Sequence, residues 1–140
     1  MLLMAIVITA CSGEGAVRKE DDKVNATPYS LEIVESKTEG NKIVATSKLK
    51  NKSGTRKGLL YGESLIELQV EDEKEKLLTK KSKSKAIGHN VIIQKDGEIE
   101  KTVEFNVNSP GKYKVWVISK FNVDGKDIEL KSETENIEIH

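Results

Sequence analysis

From Tyr29 onward apolar and polar residues alternate with period two. Tyr29, Leu31 and Ile33 alternate with Ser30 and Glu32, and Ile43, Ala45, Ser47 and Leu49 with Val44, Thr46 and Lys48. The same rhythm recurs through Ile66, Leu68 and Val70, through Val103, Phe105 and Val107, and through Tyr113, Val115 and Val117. Ile128 with Leu130 and Ile137 with Ile139 complete it. Side chains on a strand point to opposite faces in turn, so this pattern predicts strands with one buried face. Trp116 and Ile118 break parity with Val115 and Val117. A strand apolar on both faces either lies at the centre of a sheet or packs its second face on a loop.

Turn residues separate these runs: Glu39-Gly40-Asn41, Asn51-Lys52-Ser53-Gly54, Lys95-Asp96-Gly97, Ser109-Pro110-Gly111 and Asp124-Gly125. Asp-Gly between apolar runs is a strong hairpin cue. No window carries a capped helical stripe, and the charged run 71–76 is too short for an independent helix, so it reads as a turn between strands. The expectation is an all-β fold, a single antiparallel Ig-like β-sandwich of about seven to eight strands over residues 28–140. Without a Cys-Trp-Cys framework, the likeness to immunoglobulin domains is one of architecture.

Residues 12–27 (SGEGAVRKEDDKVNAT) show no period and little apolar content. They read as a flexible tether that reaches about 55 Å fully extended and about 20–25 Å as a coil. Before them, residues 1–9 form an uncharged apolar run ending in Ile8-Thr9-Ala10-Cys11, and Cys11 is the single cysteine of the chain. The run is too short to span a bilayer, which takes about 20 residues, but has the length of a signal-peptide core. It lacks the basic residue with which secretory signals open, none preceding Arg18; a basic segment upstream of Met1 would complete it. An aliphatic residue, two small ones and a cysteine resemble a bacterial lipobox. That resemblance implies a signal peptide at 1–10, a Cys11 thiol carrying diacylglycerol through a thioether, and a lipidated cysteine with its tether at 11–27. The protein is then expected on the outer face of the cell membrane, a lipoprotein whose partner there is the membrane itself. Each buried methylene of the acyl chains contributes about 0.8 kcal/mol.

Charge is balanced, with 23 Lys plus Arg against 23 Asp plus Glu, which gives no net pull toward nucleic acid or anionic membrane. The densest basic run, Lys80, Lys81, Lys83 and Lys85, is spaced by serines and has no aromatics. It is a weak candidate interaction patch for an anionic polymer or headgroups, and otherwise a solvated loop. Nucleic acid is not expected as a partner.

Two segments carry a further resemblance. Residues 44–54 (VATSKLKNKSG) have a strand followed by an Asn-x-Ser turn, and residues 95–117 (KDGEIEKTVEFNVNSPGKYKVWV) end in Pro-Gly-x-Tyr-x-Val. Together they resemble the intracellular proteinase inhibitor (BsuPI) type of Ig-like domain over about residues 43–121. The resemblance implies a sandwich and, as an alternative function, protease inhibition through an exposed loop at 54–62 or 79–88. The chain departs from that family in its export features and in the added strands after Asp127.

Catalysis finds few candidates. A nucleophilic triad needs a base, and only His89 and His140 supply an imidazole; His89 reads as a solvated residue at a loop or strand edge. Zinc and copper sites want several His, Cys or Met ligands, and outside residues 1–11 the sequence offers only His89 and His140. The carboxylates at 71–73 and 124–127 match no known calcium loop. The expectation is therefore a non-catalytic binding or structural module without a cofactor, facing an unidentified protein or envelope polymer.

Overall fold

The structure, a computed structural model, describes residues 27–80 and 88–140. Nine strands are present among them: β1 (Tyr29–Glu39), β2 (Lys42–Asn51), β3 (Lys57–Tyr61), β4 (Ile66–Glu71), β5 (His89–Ile93), β6 (Glu98–Asn106), β7 (Gly111–Val123), β8 (Lys126–Lys131) and β9 (Glu135–Ile139). All seven alternating runs are strands. The two additional ones, β3 and β5, raise the count above the seven to eight expected. Residues 72–76 form the expected turn, closed by Asp72 N–H to Lys76 O (3.0 Å) and Glu75 N–H to Asp72 O (3.0 Å).

The strands build an antiparallel β-sandwich. One sheet has three strands in the order β1-β2-β6. The other is built around β7, whose two edges are each covered by a pair of strands lying end to end. β3 and then β4 run along one edge, through Leu60↔Asn122 and the register from Ile66↔Ser119 to Glu71↔Lys114. β8 and then β9 run along the other, from Val123↔Lys126 to Gly111↔Ile139. β5 pairs with the free side of β3.

Each interruption is stabilised by a buried serine. Ser132 lies between β8 and β9, where its N–H donates to Val117 O and its Oγ accepts from Val117 N–H, both at 2.9 Å. On the other edge, Ser119 Oγ donates to Leu65 O at 2.7 Å, just before β4 begins. Both serines are buried, so these bonds supply partners to groups that would otherwise be costly to bury.

The core follows the predicted parity. On β7 the residues Tyr113, Val115, Val117, Ser119, Phe121 and Val123 are all buried. All but Ser119 meet Tyr29, Ile43, Ala45 and Leu49 of the three-stranded sheet in one cluster, where Tyr29 packs edge-on against Phe121 with ring centroids 5.4 Å apart. Ile118, on the opposite parity, is buried as well, and Lys131 covers the neighbouring Trp116 with its ammonium 4.9 Å from the ring centroid. Of the two readings of Trp116 and Ile118, the central position is the one β7 occupies.

β1 shows how sequence and register are reconciled. Strict alternation after Tyr29, Leu31 and Ile33 would aim Glu35 and Lys37 into the core. A bulge between Ile33 and Glu35 inserts Val34 as an extra residue, so that Ser36 sits opposite Ala45 and Thr38 opposite Ile43. Val34 is pushed outward to 44% exposure, and the acidic and basic side chains turn to solvent. Ser36 Oγ then donates to Glu135 Oε1 at 2.7 Å, linking the two sheets.

Candidate functional site

Three loops converge at the end of the sandwich where the chain enters the domain. Asn51 closes β2 there, and its side chain is fully buried. Its Nδ2 donates to Thr55 O (2.8 Å) and Gln94 O (2.9 Å), with Ile93 O a longer third acceptor at 3.4 Å. Its Oδ1 accepts from Ser53 N–H at 2.9 Å. This is an Asx-turn, the local bond that makes Asn a turn residue. The Asn-Lys-Ser triplet is therefore a turn built on a buried amide that ties the β2–β3 loop to the β5–β6 loop.

The second loop needs a glycine. Gly97 N–H donates to Gln94 O at 2.9 Å, and its own carbonyl accepts from Asn51 N–H at 3.0 Å. A Cβ on Gly97 would lie 2.9 Å from Gln94 O, too close for any other residue. The third loop is the two-residue hairpin Asp124-Gly125, both at positive φ, the backbone a type I′ turn requires. Lys57 Nζ bonds Asp124 Oδ2 at 2.6 Å. The hydrogen bond to Asp124 raises the Lys57 pKa above the ordinary lysine value, against a smaller opposing effect of desolvation.

The entering chain is fixed to the same end. Lys52 N–H donates to Pro28 O at 2.7 Å, one residue before β1. The loops at 52–57, 94–98 and 124–127 together present Lys52, Arg56, Lys57, Lys95 and Lys126 beside Asp96, Glu98, Asp124 and Asp127. All are exposed except the half-buried Lys57.

At the opposite end lies a shallow cleft of about 280 Å³ lined by Asp72, Glu73, Glu75, Lys112 and Tyr113. Two of its carboxylates, those of Asp72 and Glu73, already have protein donors. Asp72 Oδ1 accepts from the amides of Lys74 and Lys76, and Glu73 Oε2 from Lys112 N–H. Tyr113 OH donates to Ser109 O at 2.5 Å. That bond is a tyrosine corner closing the turn before β7, and it gives the Pro-Gly-x-Tyr segment a structural role.

The residues singled out in the sequence fall as follows. Cys11 lies outside the described residues, as do Lys81, Lys83 and Lys85; Lys80 is described and exposed. Of the proposed inhibitory loops, 54–62 is largely β3, paired with β5 over its whole length, while most of 79–88 lies outside the described residues. His89 opens β5, stacks on Tyr61 at 5.3 Å between ring centroids, and places Nδ1 2.6 Å from Gly62 O. Among the described residues no group of three or more His, Cys, Asp or Glu is placed to hold a metal ion. Asp127, in the 124–127 segment, accepts from Asn122 Nδ2 at 3.1 Å. The entry-end cations were not singled out in the sequence, because they are scattered over three loops far apart in the chain.

No protein-family model matches the chain, and no curated protein matches it. Solved structures that resemble it include the sporulation control protein Spo0M of Bacillus subtilis, at 17% identity and a TM-score of 0.46, covering 80% of this chain and 49% of that one. A β-glucosidase from Kluyveromyces marxianus in complex with glucose resembles it at 13% identity and a TM-score of 0.44, over 80% of this chain and 14% of the enzyme. The alkylpurine DNA glycosylase AlkC of Pseudomonas fluorescens does so at 11% identity and a TM-score of 0.38, over 76% of this chain and 30% of the glycosylase. The chain thus spans less than half the length of each of these proteins.

Proposed function

We propose that the chain is a lipid-anchored protein of the extracytoplasmic membrane face, whose β-sandwich is a non-catalytic binding or structural module. The observation that carries the proposal is the run Ile8-Thr9-Ala10-Cys11, which ends an uncharged apolar stretch in the only cysteine of the chain. Small residues before the cysteine suit a peptidase groove, and the thiol is the nucleophile for thioether formation with diacylglycerol. Two acyl chains give stable anchoring where one gives only reversible binding. The sandwich starts at Tyr29, and the polar composition of residues 12–27 suits a spacer between it and Cys11.

Recognition rather than acid–base chemistry is supported by the state of the carboxylates. Asp72, Glu73, Asp124 and Asp127 are each engaged by a donor of the protein itself. The partner is a protein or a polymer of the cell envelope. Detergent phase partitioning tests the anchor. The wild type is expected in the detergent phase and Cys11→Ala in the aqueous phase; a wild type that stays aqueous refutes the proposal.

A further inference from the structure

We infer that β5 is a self-pairing edge, at which a second copy of this chain adds its own β5 antiparallel across a two-fold axis. The inference does not depend on the membrane anchor. β5 ends the strand order β4-β7-β3-β5, and among the described residues no strand lies along its outer edge. Of the nine strands it alone carries no Asp, Glu, Lys or Arg, in a chain of which 33% is charged. A β-branched edge with neither charge nor proline is a template for pairing with another chain. Its outer face is apolar too. Leu60 and Ile92 are both exposed, and the register Gly58↔Ile92 and Leu60↔Asn90 makes them diagonal neighbours on one face. A Cβ on Gly58 would lie 3.6 Å from Ile92 Cδ1, so Ile92 leans over the one position beside it that has no side chain.

Charge selects a second copy as the occupant. A two-fold axis sets a strand against itself, so like charges on it meet and oppose pairing. The other edges are guarded in this way or broken. On β6, pairing about Thr102 would set Glu100 against Glu104. β1 carries the bulge at Val34, β8 and β9 are interrupted at Ser132 and carry acidic residues, and β4 is met at Glu71 by Leu77. β5 has nothing to repel its own copy. The register that pairs all five of its residues is centred on Val91, with Asn90 opposite the partner's Ile92 and His89 opposite the partner's Ile93. On the outer face it joins Leu60 and Ile92 of both copies into one apolar strip. A five-residue edge covers less than the roughly 800 Å² per partner of a standard interface, so the dimer is weak and forms with rising concentration.

Sedimentation velocity and hydrogen exchange of the full-length protein, from about 10 μM to about 1 mM, test the inference. Excess non-ionic detergent removes any association through the apolar residues 1–9. The dimer fraction is expected to rise with concentration, and the β5 amides to exchange more slowly as it rises, while those of β6 do not change. Two variants test the register. Asn90→Lys/Ile92→Lys sets lysine against lysine at both 90–92 contacts and should weaken the dimer at least about ten-fold. Asn90→Glu/Ile92→Lys sets glutamate against lysine at the same contacts and should restore it to within about three-fold of the wild type. Both positions are exposed, and recovery in the second variant separates lost pairing from lost folding. A protein that stays monomeric up to about 1 mM overturns the inference. So does a dimer that Asn90→Lys/Ile92→Lys leaves intact, or an Asn90→Glu/Ile92→Lys variant that pairs no better than the double-lysine one.

Discussion

Asn51→Ala is expected to be among the most damaging changes available outside the apolar core. The Asn51 side chain is fully buried and makes three good hydrogen bonds, to Thr55 O at 2.8 Å, to Gln94 O at 2.9 Å and from Ser53 N–H at 2.9 Å. A typical hydrogen bond contributes about 1 kcal/mol net, and a buried group left without a partner costs about 1–3 kcal/mol. With some of the freed carbonyls and amides reaching water, the total cost is about 3–5 kcal/mol. For a domain of this size that lowers Tm by roughly 10–20 °C. Asn51→Asp keeps the shape and the acceptor for Ser53 N–H, but replaces the donor with an oxygen facing two carbonyls. Burial and those carbonyls raise the carboxyl pKa of the variant, so its stability should recover as pH falls and the acid protonates. Ser53→Ala is the control; its exposed Oγ bond to Thr55 O should cost less than about 1 kcal/mol. Denaturant melts of the three variants across pH decide the matter. A loss below about 1 kcal/mol in Asn51→Ala, or an Asn51→Asp variant insensitive to pH, would refute the role given to this amide.

Two further outcomes follow from the strand architecture. Val115→Ala or Val117→Ala should cost about 1–4 kcal/mol, since both valines are fully buried, whereas the exposed Lys114→Ala should stay within about 0.5 kcal/mol; equal small effects in denaturant melts would mean the inward parity of β7 is wrong. Ser132→Ala should cost about 1–3 kcal/mol by stripping the Val117 amide of its acceptor, and hydrogen exchange at Val117 should speed up; an unchanged exchange rate would show that Ser132 does not secure the β8–β9 junction.

The seven strands legible in the sequence are those with one wet face and one dry face. β3 and β5 escape that rule. Lys57-Gly58-Leu59-Leu60-Tyr61 and His89-Asn90-Val91-Ile92-Ile93 do not alternate, because Leu60 and Ile92 sit on the outer face, 40% and 43% exposed, opposite buried Leu59 and Ile93. Such short apolar runs carry no period that separates strand from loop. The bulge at Val34 was hidden for a related reason: the residues after it look out of phase until the register with β2 is known. Asn51 announces a turn by its neighbours, but the acceptors of its amide lie in two different loops, one of them 43 residues away.

The central claim is that Cys11 anchors this domain to a membrane, and intact mass spectrometry of the protein recovered from membranes tests it most directly. The account predicts a mature chain beginning at Cys11, heavier than its peptide mass by a diacylglycerol group, which is lost from the membrane fraction in Cys11→Ala. A protein that retains Met1 and carries an unmodified Cys11 would contradict it.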